Sequence, residues 1–308
     1  MSIAMRDAFG AKLAELGNTH PELVVLDADV SSSTKSAIFG KAFPNRFFNC
    51  GVAEANMVDV AAGLATCGYH PVVNAFAIFL ALKGTDQIRN VLCYNHLPVV
   101  VAGAYGGLSD SFDGASHQSI TDIAIMRAMP NMEVIVPADS RQAEQALEYA
   151  LAQSGPVYIR LNRNAMPELP ESPDFAQRKV ITLRTGTCVT IAANGITTSM
   201  AMKAAETLAA EGIDAEVLTI PFVKPLDGAG LAASVRKTGK LLTIEEHTVV
   251  GGFGSACTEA LAREQLSYRY DAVGIEDCFT ETGAYDALLA AYGLSADAIA
   301  QRVRNLCR

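Results

Sequence analysis

Short β-branched apolar runs alternate with longer segments of helical periodicity, and this rhythm limits the fold more than any other feature of the chain. Residues 3–16 carry apolar positions at helical spacing and are closed by Gly17-Asn18. Leu23-Val24-Val25-Leu26-Asp27-Ala28-Asp29 then reads as a buried parallel strand ending in two acids, and Ser31-Ser32-Ser33-Thr34 reads as a polar loop or a helix cap. Strands are predicted at 46–49, 72–79, 98–102, 133–136 and 157–161, and helices at 57–66, 82–94, 119–129 and 140–153. The βαβ order implies a mainly parallel α/β sheet with helices on both faces, and such sheets hold their ligands in loops at the strand ends.

From residue 164 to 179 the texture changes, with Pro167, Pro170 and Pro173 among Glu, Ser and Asp, which is a linker composition. A second, smaller α/β unit follows, with strands at 189–193, 215–218 and 240–246 and helices at 198–211 and 255–264. The expected division is therefore 1–165, a linker 166–179, and 180–308, in keeping with 308 residues of which 50% are hydrophobic. The net charge of -9 argues against nucleic acid or an anionic membrane as partner. Seven cysteines without a Cys-x-x-Cys pair read as isolated buried thiols in a reducing compartment. With no signal peptide and no apolar run long enough to span a bilayer, a soluble cytoplasmic protein is expected. The Gly251-Gly252-Phe253-Gly254 turn is only a partial phosphate-binding pattern and is assigned no ligand, and His247 reads as a packing or interface residue.

The chemistry gathers elsewhere. In Cys50-Gly51-Val52-Ala53-Glu54-Ala55-Asn56-Met57 one carboxylate stands at the mouth of an Ala/Gly-rich helix pattern expected to be buried on most sides. By itself Glu54 is either an acid set against the helix dipole or a functional group. It is followed by Phe76-Ala77-Ile78-Phe79 and then by Asp113-Gly114-Ala115-Ser116-His117-Gln118. Gly-x-x-Glu, Phe-x-x-Phe and Asp-Gly-x-x-His-Gln in this order resemble the pyrimidine-binding half of transketolases, enzymes that use thiamine diphosphate, and the resemblance extends over nearly the whole chain.

That resemblance implies a pyrimidine-binding domain followed by a transketolase C-terminal domain. Glu54 would share a proton with the pyrimidine nitrogen opposite the cofactor's amino group, as partial burial would favour. Phe76 and Phe79, on opposite faces of a regular strand, would supply one ring to stack on the pyrimidine and one to pack the wall, although both also read as core aromatics. Asp29 would lie against the cofactor. Arg6 and Ser33 would reach a substrate's distal anionic group, His117 and Asp113 would contact the upper carbons of a sugar, and Arg163 would grip its phosphate. Arg160 reads as structural.

Three departures accompany the match. Tyr105 stands where transketolases place a histidine that meets the donor sugar, Leu82 stands where many relatives have an aromatic, and Ala55 replaces a common histidine. Tyr105 keeps a hydrogen-bonding hydroxyl but does not titrate near neutrality, which leaves the donor sugar open. The Gly-Asp-Gly motif that anchors the diphosphate and magnesium is missing, since Asp113-Gly114 and Asp227-Gly228 both lack the preceding glycine. The chain therefore resembles the C-terminal subunit of a split transketolase. An N-terminal subunit would hold the diphosphate and Mg2+, two copies of each chain would form a heterotetramer, and sugar phosphates would be the substrates. Two alternatives stand beside this: a 2-oxo-acid dehydrogenase beta subunit or deoxyxylulose-phosphate-synthase-like enzyme, suggested by Asp86-Gln87-Ile88-Arg89, and a non-catalytic scaffold module.

Overall fold

The computed structural model describes residues 3–170 and 174–308, so Pro173 of the proline-rich segment lies outside the described residues. The chain builds two sheets. The first contains β1 (Leu23–Asp27), β2 (Phe47–Asn49), β3 (His70–Phe76), β4 (Val100–Ala104), β5 (Glu133–Ile135) and β6 (Val157–Arg160), all parallel. The second contains β7 (Ile181–Arg184), β8 (Val189–Ala193), β9 (Ala215–Thr219), β11 (Lys240–Thr248) and β12 (Arg269–Ile275), and only β7 runs antiparallel. Between β9 and β11 in the chain, β10 (Phe222–Lys224) leaves the second unit and joins β5 antiparallel, giving the seven-stranded order β10-β5-β6-β4-β3-β1-β2. Every residue of β1, β4, β6, β8 and β9 is buried, as continuous apolar runs require when helices cover both faces.

Four local expectations are corrected. The strand expected at 72–79 ends at Phe76, and Ala77–Lys83 is a helix, because Ala, Leu and Lys favour that state and a short apolar run does not reveal its period. The helix expected at 82–94 is three pieces, Ala77–Lys83, Thr85–Gln87 and a π-helical Ile88–Cys93, parted at Gly84. Ser31–Thr34 forms a single helical turn rather than a loop. The helix Glu54–Thr66 buries Met57, Val58, Ala61 and Ala62 on one side only, leaving Asp59, Val60 and Gly63 exposed. All seven cysteines are free, but only Cys93 and Cys257 are buried as expected; Cys50, Cys188 and Cys307 are half-buried, and Cys67 and Cys278 are exposed. Among the described residues no helix is long and apolar enough to cross a membrane.

A buried polar lock fastens the two sheets together. Arg160, at the end of β6, donates from Nε to Asp122 Oδ2 at 2.8 Å and from Nη2 to the carbonyls of Ser119 and Glu246 at 2.8 and 2.9 Å. Tyr158 donates to the same Asp122 oxygen at 2.6 Å. Burial pushes the Asp122 carboxyl up, but Arg160, His247 and Tyr158 overcome it and hold the group below the usual carboxylate range. Glu246 accepts from Leu108 N at 3.0 Å, Tyr285 Oη at 2.7 Å and Asn162 Nδ2 at 3.1 Å, and burial pushes it up to about 7.

The structural readings of Arg160 and His247 agree with this geometry. His247 is fully buried and its Nε2 accepts from Ala124 N at 3.3 Å. The glycine turn is occupied from within, since Glu245 accepts from Phe253 N and Gly254 N at 2.6 and 2.8 Å. Asp122→Ala leaves the Arg160 guanidinium buried without its partner and should destabilise the chain by about 3–5 kcal/mol in urea denaturation. Breaking the exposed Arg141–Glu168 pair, by contrast, should give a change within error.

Candidate functional site

Gly51, with φ of 72°, turns the chain just before Glu54, the first residue of the helix Glu54–Thr66. The residue is 3% exposed. Both oxygens face Lys83 Nζ, at 3.1 and 3.2 Å, and the same ammonium sits 4.2 Å from the centroid of the Phe79 ring. Because residues 77–83 are helical, Phe76 and Phe79 do not fall on opposite faces. Their rings stack at 5.8 Å, and His117 meets both edge-on at 6.2 and 5.1 Å. Tyr105 closes the group at 4.5 Å from Phe76. Flat rings offer faces on which a planar heterocycle can stack, and a buried carboxylate close by can exchange a proton with it.

A second cluster grows from Tyr105, which is buried in a left-handed conformation with φ of 60°. Its hydroxyl accepts from Arg6 Nη1. The guanidinium carbons of Arg6 and Arg163 lie 5.4 and 5.0 Å from its ring centroid, so one phenol gathers two cations. Arg163 Nη1 also donates to Asp110 Oδ1 at 3.2 Å. Ser33 enters through its carbonyl, which accepts from Arg6 Nη1 at 3.3 Å, rather than as a group reaching outward. Asp113 is exposed beside Asp110, and His117 Nδ1 lies 2.9 Å from Ser116 Oγ.

Phe76, Phe79, Tyr105 and His117 thus form one aromatic cluster, which Lys83 links to Glu54, and Arg6 and Arg163 gather on the same Tyr105. Asp29 is exposed at the end of β1, where Asn49 Nδ2 donates to it at 2.9 Å. The buried acid of that pair is Asp27, which accepts from Val30 N, Thr34 Oγ1 and Ser36 Oγ at 2.6, 2.8 and 2.8 Å. Leu82 is 59% exposed. Sequence reasoning missed Lys83 and Asp110. Lys83 follows Phe79 by four positions and would have been found had 77–83 been read as a helix, whereas nothing local marks Asp110. Among the described residues no group of three or more His, Cys, Asp or Glu side chains could hold a metal ion.

Known proteins resemble this chain along nearly its whole length. The family model of the transketolase pyrimidine-binding domain matches residues 1–168, and that of the transketolase C-terminal domain matches residues 178–299. A protein of Methanocaldococcus jannaschii named as a transketolase C-terminal section is 40% identical over 97% of this chain and 95% of its own length. The 6-deoxy-6-sulfo-D-fructose transketolase subunit of a Clostridium species is 39% identical over 98% of this chain and 94% of its own. Among solved structures, a split-gene transketolase described as an inactive beta4 tetramer superposes with a TM-score of 0.91 at 46% identity, covering 99% of this chain and 98% of that one.

The contact between Glu54 and Lys83 is testable on the folded chain alone. A double-mutant cycle of Glu54→Gln and Lys83→Met, read by thermal or urea unfolding, should give a favourable coupling of about 1 kcal/mol, because one partner is buried and the other reaches solvent. Additive effects of the two substitutions would show that the pair contributes nothing.

Proposed function

The chain belongs to the transketolase family, and on that premise we propose that it is the pyrimidine-binding subunit of a two-chain transketolase, moving a two-carbon ketol unit from a ketose phosphate to an aldose phosphate. The observation that carries this reading is the burial of Glu54 beside the stacked Phe76 and Phe79 rings. Flat rings and a carboxylate are the groups that an aminopyrimidine calls for, faces to stack on and an acid to share a proton with its ring nitrogen. Thiamine diphosphate bound there would supply the nucleophilic carbon that takes up and passes on the ketol unit.

What this chain's residues do follows from their chemistry. Glu54 holds a proton against the pyrimidine nitrogen opposite the amino group, and Lys83, now on its oxygens, gives way to that ring. Phe76 and Phe79 fix the plane of the ring at low entropic cost. Asp29, at the end of β1, borders the cofactor's side of the cleft. His117 and Asp113 offer hydrogen bonds to the upper hydroxyls of the sugar. Arg6, positioned by the Ser33 carbonyl and Tyr105, joins Arg163 in holding the distal anion, for which paired guanidinium donors are suited.

An N-terminal subunit would bring the diphosphate and Mg2+ site, with two copies of each chain in the assembly. This partner dependence draws support from the missing Gly-Asp-Gly motif and from the inactive tetramer of the related split-gene chain. The free thiols support a reducing, cytoplasmic setting. The sulfonated sugar in the Clostridium relative's name supports an anionic distal group on the substrate.

Assembled with its partner at saturating cofactor and magnesium, Glu54→Gln should lose about 100-fold or more in turnover, measured as aldose release from a panel of ketose phosphates. Near-normal turnover would refute the role of Glu54. The chain alone should show no turnover, and tight magnesium-dependent binding of thiamine diphosphate by this chain alone would count against the division of labour.

A further inference from the structure

The Asp122–Arg160 and Glu54–Lys83 pairs both bury a carboxylate against a cation, but they are built differently. In the first, both side chains are buried, at 0% and 6% exposure, and the guanidinium is tied down by two further carbonyls. In the second, the Glu54 side chain is 4% exposed while that of Lys83 is 48% exposed. Lys83 is the last residue of the helix Ala77–Lys83, next to the break at Gly84. Among the described residues its ammonium donates to Glu54 alone, and the Glu54 carboxylate accepts from no other group. A flexible, strongly hydrated point charge is a poor permanent partner for a buried acid, so this contact is made to be given up.

Lys83 nevertheless meets two needs at once. Its Nζ lies 3.1 and 3.2 Å from the two oxygens of Glu54 and 4.2 Å from the centroid of the Phe79 ring. These are the two surfaces the proposed ring uses, an acid to share a proton with and an aromatic face to lie on. An ammonium and a ring cannot both take the same two contacts. A carboxylate buried with no partner is costly, so the empty site needs a cation there, and a lysine whose stem reaches solvent can leave without breaking the fold.

We propose that Lys83 is a positioning residue that stands in for the pyrimidine while the site is empty, holding Glu54 and Phe79 in place and leaving as the ring arrives. Resting on the cofactor reading above, the inference adds how that site is kept when unloaded. It also fixes a sign. Removing the lysine weakens the empty form and strengthens cofactor binding, because the ring no longer has to displace a partner of Glu54.

Calorimetric titration of the chain assembled with its partner, using thiamine diphosphate at saturating magnesium, reads the affinity without turnover, and thermal unfolding at fixed protein concentration reads the empty and loaded forms. Lys83→Met should bind the cofactor about three- to tenfold tighter than wild type. Its empty form should unfold about 2–4 °C below empty wild type, while its loaded form unfolds within about 1 °C of loaded wild type. Lys83→Gln, which keeps most of the stem and a neutral donor, should fall between wild type and Lys83→Met in both measurements. A lysine that only supported the fold would lower the two forms alike. Equal or weaker binding by both variants, or the same drop in the empty and loaded forms, would overturn the proposal. Failure of the cofactor reading looks different: no assembly, wild type included, binds thiamine diphosphate, and the proposal falls with it. The predicted binding pattern without ketol transfer would support the stand-in role and overturn only the transfer reaction.

Discussion

The loop that carries the outer half of the pocket has no regular structure of its own, and its position depends on one buried lock. Gly106 and Gly107 pair with Leu161 and Ser119 through the backbone, and the next residue, Leu108, donates its N–H to Glu246 of the second sheet. Arg160 ties the same region to Glu246 and Ser119 through their carbonyls. Since unpaired charges of this kind are costly to bury, the lock is high-stakes for the fold and leaves Tyr105, Asp110 and Arg163 little room to move. The second unit is thus more than an appendage: it holds the first unit's loop that carries Tyr105 and Asp110, and through β10 it also extends the first unit's sheet.

From that fixed loop the pocket divides into two chemically distinct halves joined by Tyr105. The inner half is flat and apolar with one buried carboxylate, suited to a planar ring. The outer half gathers two guanidinium groups over a phenol, suited to an anion. Tyr105 serves both, touching Phe76 on one side and Arg6 on the other, and its left-handed backbone is a strain of the sort that clusters at functional sites.

Much of this was legible in the chain. Continuous apolar strands and intervening helical periods predict the parallel sheet, and the motifs single out Phe76, Phe79 and His117, whose rings meet, and Glu54, which reaches them through Lys83. The losses have physical causes. Ala77-Ile78-Phe79-Leu80 is apolar at every position, so its period is invisible, and taking it as strand misplaced the two phenylalanines and hid Lys83. Asp110 reaches Arg163 across 53 positions of sequence, and Ser33 contributes a carbonyl that any residue could offer. The antiparallel β10 was equally unreadable, because its partner β5 belongs to the other unit and nothing in Phe222-Val223-Lys224 records that pairing.

The central claim is a proton shared between a carboxyl of this chain and a ring carried largely by another. It is tested most directly by a crystal structure of the assembled pair with thiamine diphosphate and magnesium bound. The account predicts the Glu54 carboxyl within about 2.6–3.2 Å of the pyrimidine nitrogen opposite the amino group, with Lys83 displaced and the ring lying against Phe79. A carboxyl still closed on Lys83, or a ring lodged outside the aromatic slot, would contradict it.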